Sequence, residues 1–388
     1  MSRVRLPPAL RALAETARAL SRQAPSTRVA LARGADLIDP ALVPADVRED
    51  VERELERARA AACVPLAPRA VERVLSEAWG RKPAKVLDEL DPEPLAVTAA
   101  AQVHRASVDG QPVAIKVQRP GLERAVRTDL TLLDALGPPL RLAFPGLDAG
   151  LLLRSLREQS LDELDLEHEG SSQRRVARAL RSVDGIVVPG VLSALSAPAV
   201  LVTELLAGPT LKSGARPPEP GAAARSLLLA HLAAARGAGL ALLDARPSHV
   251  VVLPGGGLGL LGAGVARSVD RARVELALVG QGAQADDDEQ RLAATVVEAG
   301  LLPPASAGQV HALARGALGE LLEGRARLDA QALRAVGDRG AGLASAALAL
   351  APSATPVPDD LWIARGTGQL VALLARLGAE QDWVELVS

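Results

Sequence analysis

Lys116 closes the apolar run Val113-Ala114-Ile115 and is followed by Val117, so its ammonium lies among hydrocarbon side chains. A buried ammonium is costly unless its stem carries it to water or an anion faces it, and a carboxylate or another anionic group is therefore the partner to seek. A second stretch, Gly255-Gly256-Gly257, invites comparison with a phosphate-cradling loop. No helix and no G-K-[ST] follow it, and apolar runs flank it on both sides, so it reads as a hairpin turn. Cys63 is the single cysteine, which excludes an internal disulfide and a cysteine-based metal site and fits a reducing compartment. The elements that must position Lys116 are legible nearby. Apolar and β-branched residues alternate on both sides of Asp109-Gly110, which predicts two antiparallel strands joined by a tight turn within residues 96–121.

Val113-Ala114-Ile115-Lys116 is also the tetrapeptide with which protein kinases place a lysine on the α and β phosphates and on a helix glutamate. With Gln102-Val103-His104-Arg105-Ala106 before it and Val117-Gln118-Arg119-Pro120-Gly121 after it, the stretch closely resembles the UbiB and AarF type of atypical kinase-like proteins. That family includes the mitochondrial coenzyme Q chaperone kinases. The resemblance runs in order over about residues 27–388. It implies an α+β, two-lobed protein-kinase-like fold, with a helical N-terminal extension over 1–89, a small β-rich lobe and hinge over 90–207, and a larger helical lobe over 208–388. An alanine-rich loop, Ala96 to Ala101, stands for the usual glycine-rich one, so Ala99, Ala100 and Ala101 join Lys116 as nucleotide-binding candidates. The E-L-D core of Leu161 to Glu169 is a family hallmark, and on it Glu163 is assigned as the partner of Lys116, with Glu169 and Glu158 as alternatives. Backbone groups from Glu204 to Leu206 are expected to meet the adenine edge. The family's K-x-G-Q signature is reduced to Ala32-Arg33-Gly34-Ala35, which keeps only the glycine.

The resemblance weakens where catalysis would sit. The family writes H-A-D-P-H-P-G-N and then D-F-G; here the aligned residues are Leu242 to His249 and Gly262-Ala263-Gly264. Asp244, the candidate catalytic residue that would orient the attacking group, remains. His249 and Gly262 replace the two metal ligands, and neither offers the oxygen that magnesium prefers. Losing even one preorganised charge stabiliser costs about a hundred- to a thousandfold in rate. ATP or ADP is therefore expected as a weakly held cofactor, magnesium is not expected to be well bound, and no metal ligand is assigned.

Composition bounds the rest. A 388-residue chain with a formal charge of −2 offers no electrostatic footprint for nucleic acid. It has no tyrosine and one phenylalanine, so the core must be built from Ala, Leu and Val, and aromatic stacking on a base is almost absent. The longest apolar region, about 226–243, is interrupted by His231 and Arg236 and falls short of the roughly 18 uncharged residues of a membrane span. No signal-peptide pattern opens the chain, and a cytoplasmic location is expected. Periodicity predicts helices over 7–22, 45–60, 122–136, about 149–178 and 224–238, apolar strands within 186–206, and a helical segment over 278–388 broken at Pro303-Pro304 and at Pro352 to Pro358. Three readings stand. One is a degenerate kinase-like protein that binds nucleotide, and a lipid or quinone precursor or a protein partner, as a regulatory or scaffolding factor in isoprenoid quinone metabolism. Another is an active ATPase or kinase using Asp244 with unconventional metal ligation. The third is a structural scaffold with an empty cleft.

Overall fold

The computed structural model describes residues 63–388 except 323, 384, 387 and 388, together with positions 12, 15, 16, 49, 50, 53 and 56. Apart from those isolated positions, the expected helices over 7–22 and 45–60 and the Ala32-Arg33-Gly34-Ala35 segment lie outside the described residues.

Helix α1 (Pro68–Trp79) leads into strands β1 (Glu89–Val97), β2 (Ala101–Val108) and β3 (Gln111–Gln118). The predicted hairpin is present. Asp109 and Gly110 both take positive φ, 50° and 74°, and Val108 pairs with Gln111 across them, the backbone that matches the natural twist of two antiparallel strands. Pro92 and Pro94 are tolerated because β1 is an edge strand with register shifts. After the short strand β4 (Ile186–Val187), β5 (Val200–Glu204) pairs with β3 and completes the order β1-β2-β3-β5. Because strand side chains alternate, Val113, Ile115 and Val117 point to one face, where they pack with Val71, Val74 and Leu75 of α1. Lys116 is thereby turned to the opposite face.

Between β3 and β5 run α2 (Leu122–Leu130), a 3₁₀ stretch and a short helix (Gly137–Ala143), then α3 (Ala149–Asp162) and α4 (Leu166–Ala179). The single helix expected over 149–178 is thus two. Asp165 accepts hydrogen bonds from the Glu167 and His168 amides at 2.9 and 3.1 Å, so it caps a new helix more favourably than it would continue the old one. Asp165→Ala is expected to lower stability by about 1 kcal/mol, with Asp165→Asn close to wild type, as read from urea midpoints. Equal midpoints for Asp165→Ala and wild type would remove the cap from this account.

The larger lobe starts with α5 (Pro220–Leu232), extended by a π turn over Ala233–Gly237. Short strands follow: β6 (Leu240–Leu242), β7 (Val250–Val252), β8 (Leu258–Leu260) and β9 (Ala266–Ser268). β7 and β8 pair antiparallel around Gly255 to Gly257, so the triple glycine is a hairpin turn. Helices α6 (Arg271–Ala285), α7 (Glu289–Glu298), α8 (Gln309–Leu318), α9 (Ala330–Leu350) and α10 (Pro358–Leu377) complete the lobe, with strand pairing between β10 (Arg325–Arg327) and β11 (Glu380–Asp382). Its core is aliphatic: Leu227, Leu240, Leu258, Leu333 and Leu373 belong to one buried cluster. Among the described residues no helix is long and apolar enough to cross a membrane.

Candidate functional site

Lys116 Nζ donates to both carboxylate oxygens of Glu169, at 2.8 and 2.7 Å. The lysine side chain is 28% exposed and the glutamate 6%, so the carboxylate is buried while the lysine side chain stays partly exposed. This corrects the assignment of Glu163. That residue closes α3, accepts from Gln159 Nε2 at 3.0 Å and lies 3.6 Å from Arg365 Nη1. Glu158, the other alternative, pairs with Arg267 at 3.3 Å. Arg267 and Arg365 both stack on Trp362, whose indole N–H donates to Ser155. Glu163 thus ties α3 to α10 and Glu158 ties it to β9, and the helix break at Asp165 re-aims the third carboxylate toward β3.

The alanine-rich loop is a tight turn. Thr98 Oγ1 accepts from the Ala100 and Ala101 amides at 3.3 and 3.0 Å, and the Arg119 guanidinium donates to the Thr98 carbonyl at 3.1 and 3.0 Å. Ala99 and Ala101 are buried. Two amides that a phosphate would recruit are already engaged within the turn. The neighbouring Gln102 and His104 are structural: the Gln102 side chain takes the Leu66 amide at 2.7 Å and meets His104 Nε2 at 2.7 Å, and His104 Nδ1 meets the Asp91 carbonyl at 2.8 Å. At the hinge, the Glu204 carboxylate accepts from the Gly190 amide and the Leu205 amide donates to the Pro112 carbonyl. Leu206 packs against Gly259 of β8.

Asp244 follows β6 and is buried. Arg246 clamps it: Nε donates to Oδ1 and Nη2 to Oδ2, the latter at 2.9 Å. The same guanidinium reaches His249 Nε2 at 3.2 Å, while His249 Nδ1 lies 3.1 Å from Asp244 Oδ2, off the direction of a hydrogen bond. Burial alone would raise the Asp244 carboxyl pKa; the adjoining His249 and Arg246 reverse the sign and hold it well below the usual carboxylate range. Both oxygens are therefore charged and occupied. A guanidinium cannot be deprotonated to release them. Arg246, two residues after the catalytic candidate, is the functional residue that motif reading passed over, and its signal was an opposite charge within the same turn.

Gly262 approaches this group more closely than any side chain could. A Cβ there would lie 2.4 Å from the Asp244 carbonyl oxygen and 2.8 Å from His249 Nδ1. A cavity of about 20 Å³ lined by Asp244, His249 and Gly262 remains, room for about one water molecule. Magnesium keeps several waters and demands near-octahedral oxygen ligation, so the residues present do not fit it. Two positions along, a Cβ on Gly264 would fall 2.5 Å from Glu169 Cγ. The Gly262-Ala263-Gly264 loop thus approaches both Asp244 and Glu169, the carboxylate that holds Lys116.

A family model of the ABC1 atypical kinase-like domain matches residues 60–276, more than half of the chain. Among similar proteins, AarF domain-containing protein kinase 1 of Xenopus tropicalis is 31% identical over 149 residues, covering 38% of this chain and 28% of that protein. The probable protein kinase UbiB of Xylella fastidiosa is 28% identical over 171 residues, covering 43% and 30%. The match spans about three tenths of the length of these relatives. A solved structure, that of Rv3197 with erythromycin from Mycobacterium tuberculosis, superposes with a TM-score of 0.63 over 93% of this chain and 90% of that one, at 21% identity, a likeness of fold.

Proposed function

The chain belongs to the ABC1 atypical kinase-like domain family, and from that premise we propose that it is a non-catalytic member whose cleft holds a nucleotide without magnesium and acts as a regulatory or scaffolding element. The observation that carries the reading is the closure of Arg246 and His249 over Asp244, with the Asp244 carbonyl filling the space beside Gly262. Phosphoryl transfer needs a free carboxylate to orient the attacking group and a cation on the transferring phosphate. Neither fits here. The Lys116 side chain stays partly exposed with a fixed carboxylate beside it, which suits it to a phosphate as a point charge.

Nucleotide-induced thermal stabilisation, measured with ATP and ADP in magnesium and in chelator, is the test. Equal stabilisation in both buffers is expected, reduced in Lys116→Met, with ATP hydrolysis indistinguishable from that of Asp244→Asn. Magnesium-dependent hydrolysis abolished by Asp244→Asn would instead establish an active enzyme. Absence of any nucleotide response would leave the scaffold reading in its place.

A further inference from the structure

A pocket of about 560 Å³, open to solvent on one side and lined by neither Lys116 nor Asp244, is set in the helical lobe. Its walls are almost wholly aliphatic, with Ala277 of α6, Val296 of α7, Ala314 of α8 and Leu370 of α10 among them. That volume falls in the range of roughly 300–1,000 Å³ typical of small-molecule sites. Water gains few hydrogen bonds against such hydrocarbon walls.

Two polar side chains on this wall lack partners among the described residues. Gln284 is 5% exposed, and neither its amide nitrogen nor its oxygen has a hydrogen bond. His231 meets the Leu227 carbonyl through Nδ1 at 2.9 Å, and its buried Nε2 has no partner. Burial pushes that imidazole down to about 4, so it is neutral near pH 7. The charges at the wall, Arg273 and Asp360, neutralise each other at 2.6 Å. An occupant must therefore be neutral, mostly hydrocarbon, and able both to donate and to accept at one end.

We propose that this cavity binds a neutral long-chain amphiphile, its single hydroxyl or carboxamide head meeting Gln284 and its chain lying against the aliphatic walls. The proposal is independent of the nucleotide reading, since neither Lys116 nor Asp244 lines this cavity and Gln284 lies apart from both, although His231 and Leu242 also border the small space beside Asp244.

The test uses the full chain and the neutral fluorophore N-phenyl-1-naphthylamine, displaced by tetradecanamide, 1-tetradecanol or the headless hydrocarbon tetradecane. Saturable fluorescence is expected, with the amide and alcohol displacing the probe at about tenfold lower concentration than tetradecane, the ratio one buried hydrogen bond can supply. Gln284→Leu should abolish that preference while leaving probe affinity within about twofold. Ala277→Trp and Ala314→Trp, which fill the cavity, should each weaken the probe by about tenfold or more. Ala277→Leu provides a milder filling in case the tryptophans unfold the lobe, as judged by circular dichroism. No saturable binding to the wild type overturns the proposal. So does unchanged probe affinity in folded filling variants, or a preference that survives Gln284→Leu.

Discussion

Gly262→Asp, the change that would restore the aligned metal-binding carboxylate, is expected to lower stability by about 3 kcal/mol and to restore no magnesium binding. The obstacle is met by the first carbon added. A Cβ at this position would lie 2.4 Å from the Asp244 carbonyl oxygen, a backbone atom that cannot swing aside. Gly262→Ala should therefore carry most of the penalty. His249→Asn combined with Gly262→Asp leaves the contact at 2.4 Å and puts an amide atom close to where the imidazole Nδ1 stood, so the double variant should recover little of the loss. Urea unfolding and magnesium-dependent nucleotide binding check this directly. A Gly262→Asp/His249→Asn protein with wild-type stability and a magnesium requirement would show that the cleft had merely lost its ligands and had not closed over their place.

Lys116→Met should lower stability by about 2 kcal/mol. Removing one member of a buried ion pair commonly costs 3–5 kcal/mol because the other charge is stranded, and the figure is reduced here because the lysine is 28% exposed and partly screened. The stranded group is Glu169, which also packs against Gly264. Lys116→Met with Glu169→Leu should therefore be more stable than Lys116→Met alone. A double-mutant cycle by urea denaturation measures this coupling. Additive effects would reduce the pair to a surface contact. The parallel cycle with Glu163→Leu should be additive, since Glu163 lies with Gln159 and Arg365.

The amino-acid sequence alone determined much of the smaller lobe, because its rules are local. Asp109-Gly110 supplies a turn that few residue pairs can form, and the two-residue period of β3 sends Val113, Ile115 and Val117 to the core and Lys116 to the opposite face. The replacements at His249 and Gly262 and the family resemblance were equally legible, since they need only residue identity and order. Tertiary structure decided the rest. Glu158, Glu163 and Glu169 lie within twelve residues of one acidic stretch, and no local rule selects among them. The choice followed from the Asp165 cap, which ends one helix and aims the next, and from arginines more than a hundred residues away that occupy the first two. Whether Asp244 is a poised base or a clamped ion was also invisible, because a carboxylate's availability depends on which cation reaches it and on what burial denies it. The glycine at 262 read as a missing ligand, and only packing revealed that the Asp244 backbone already holds its place.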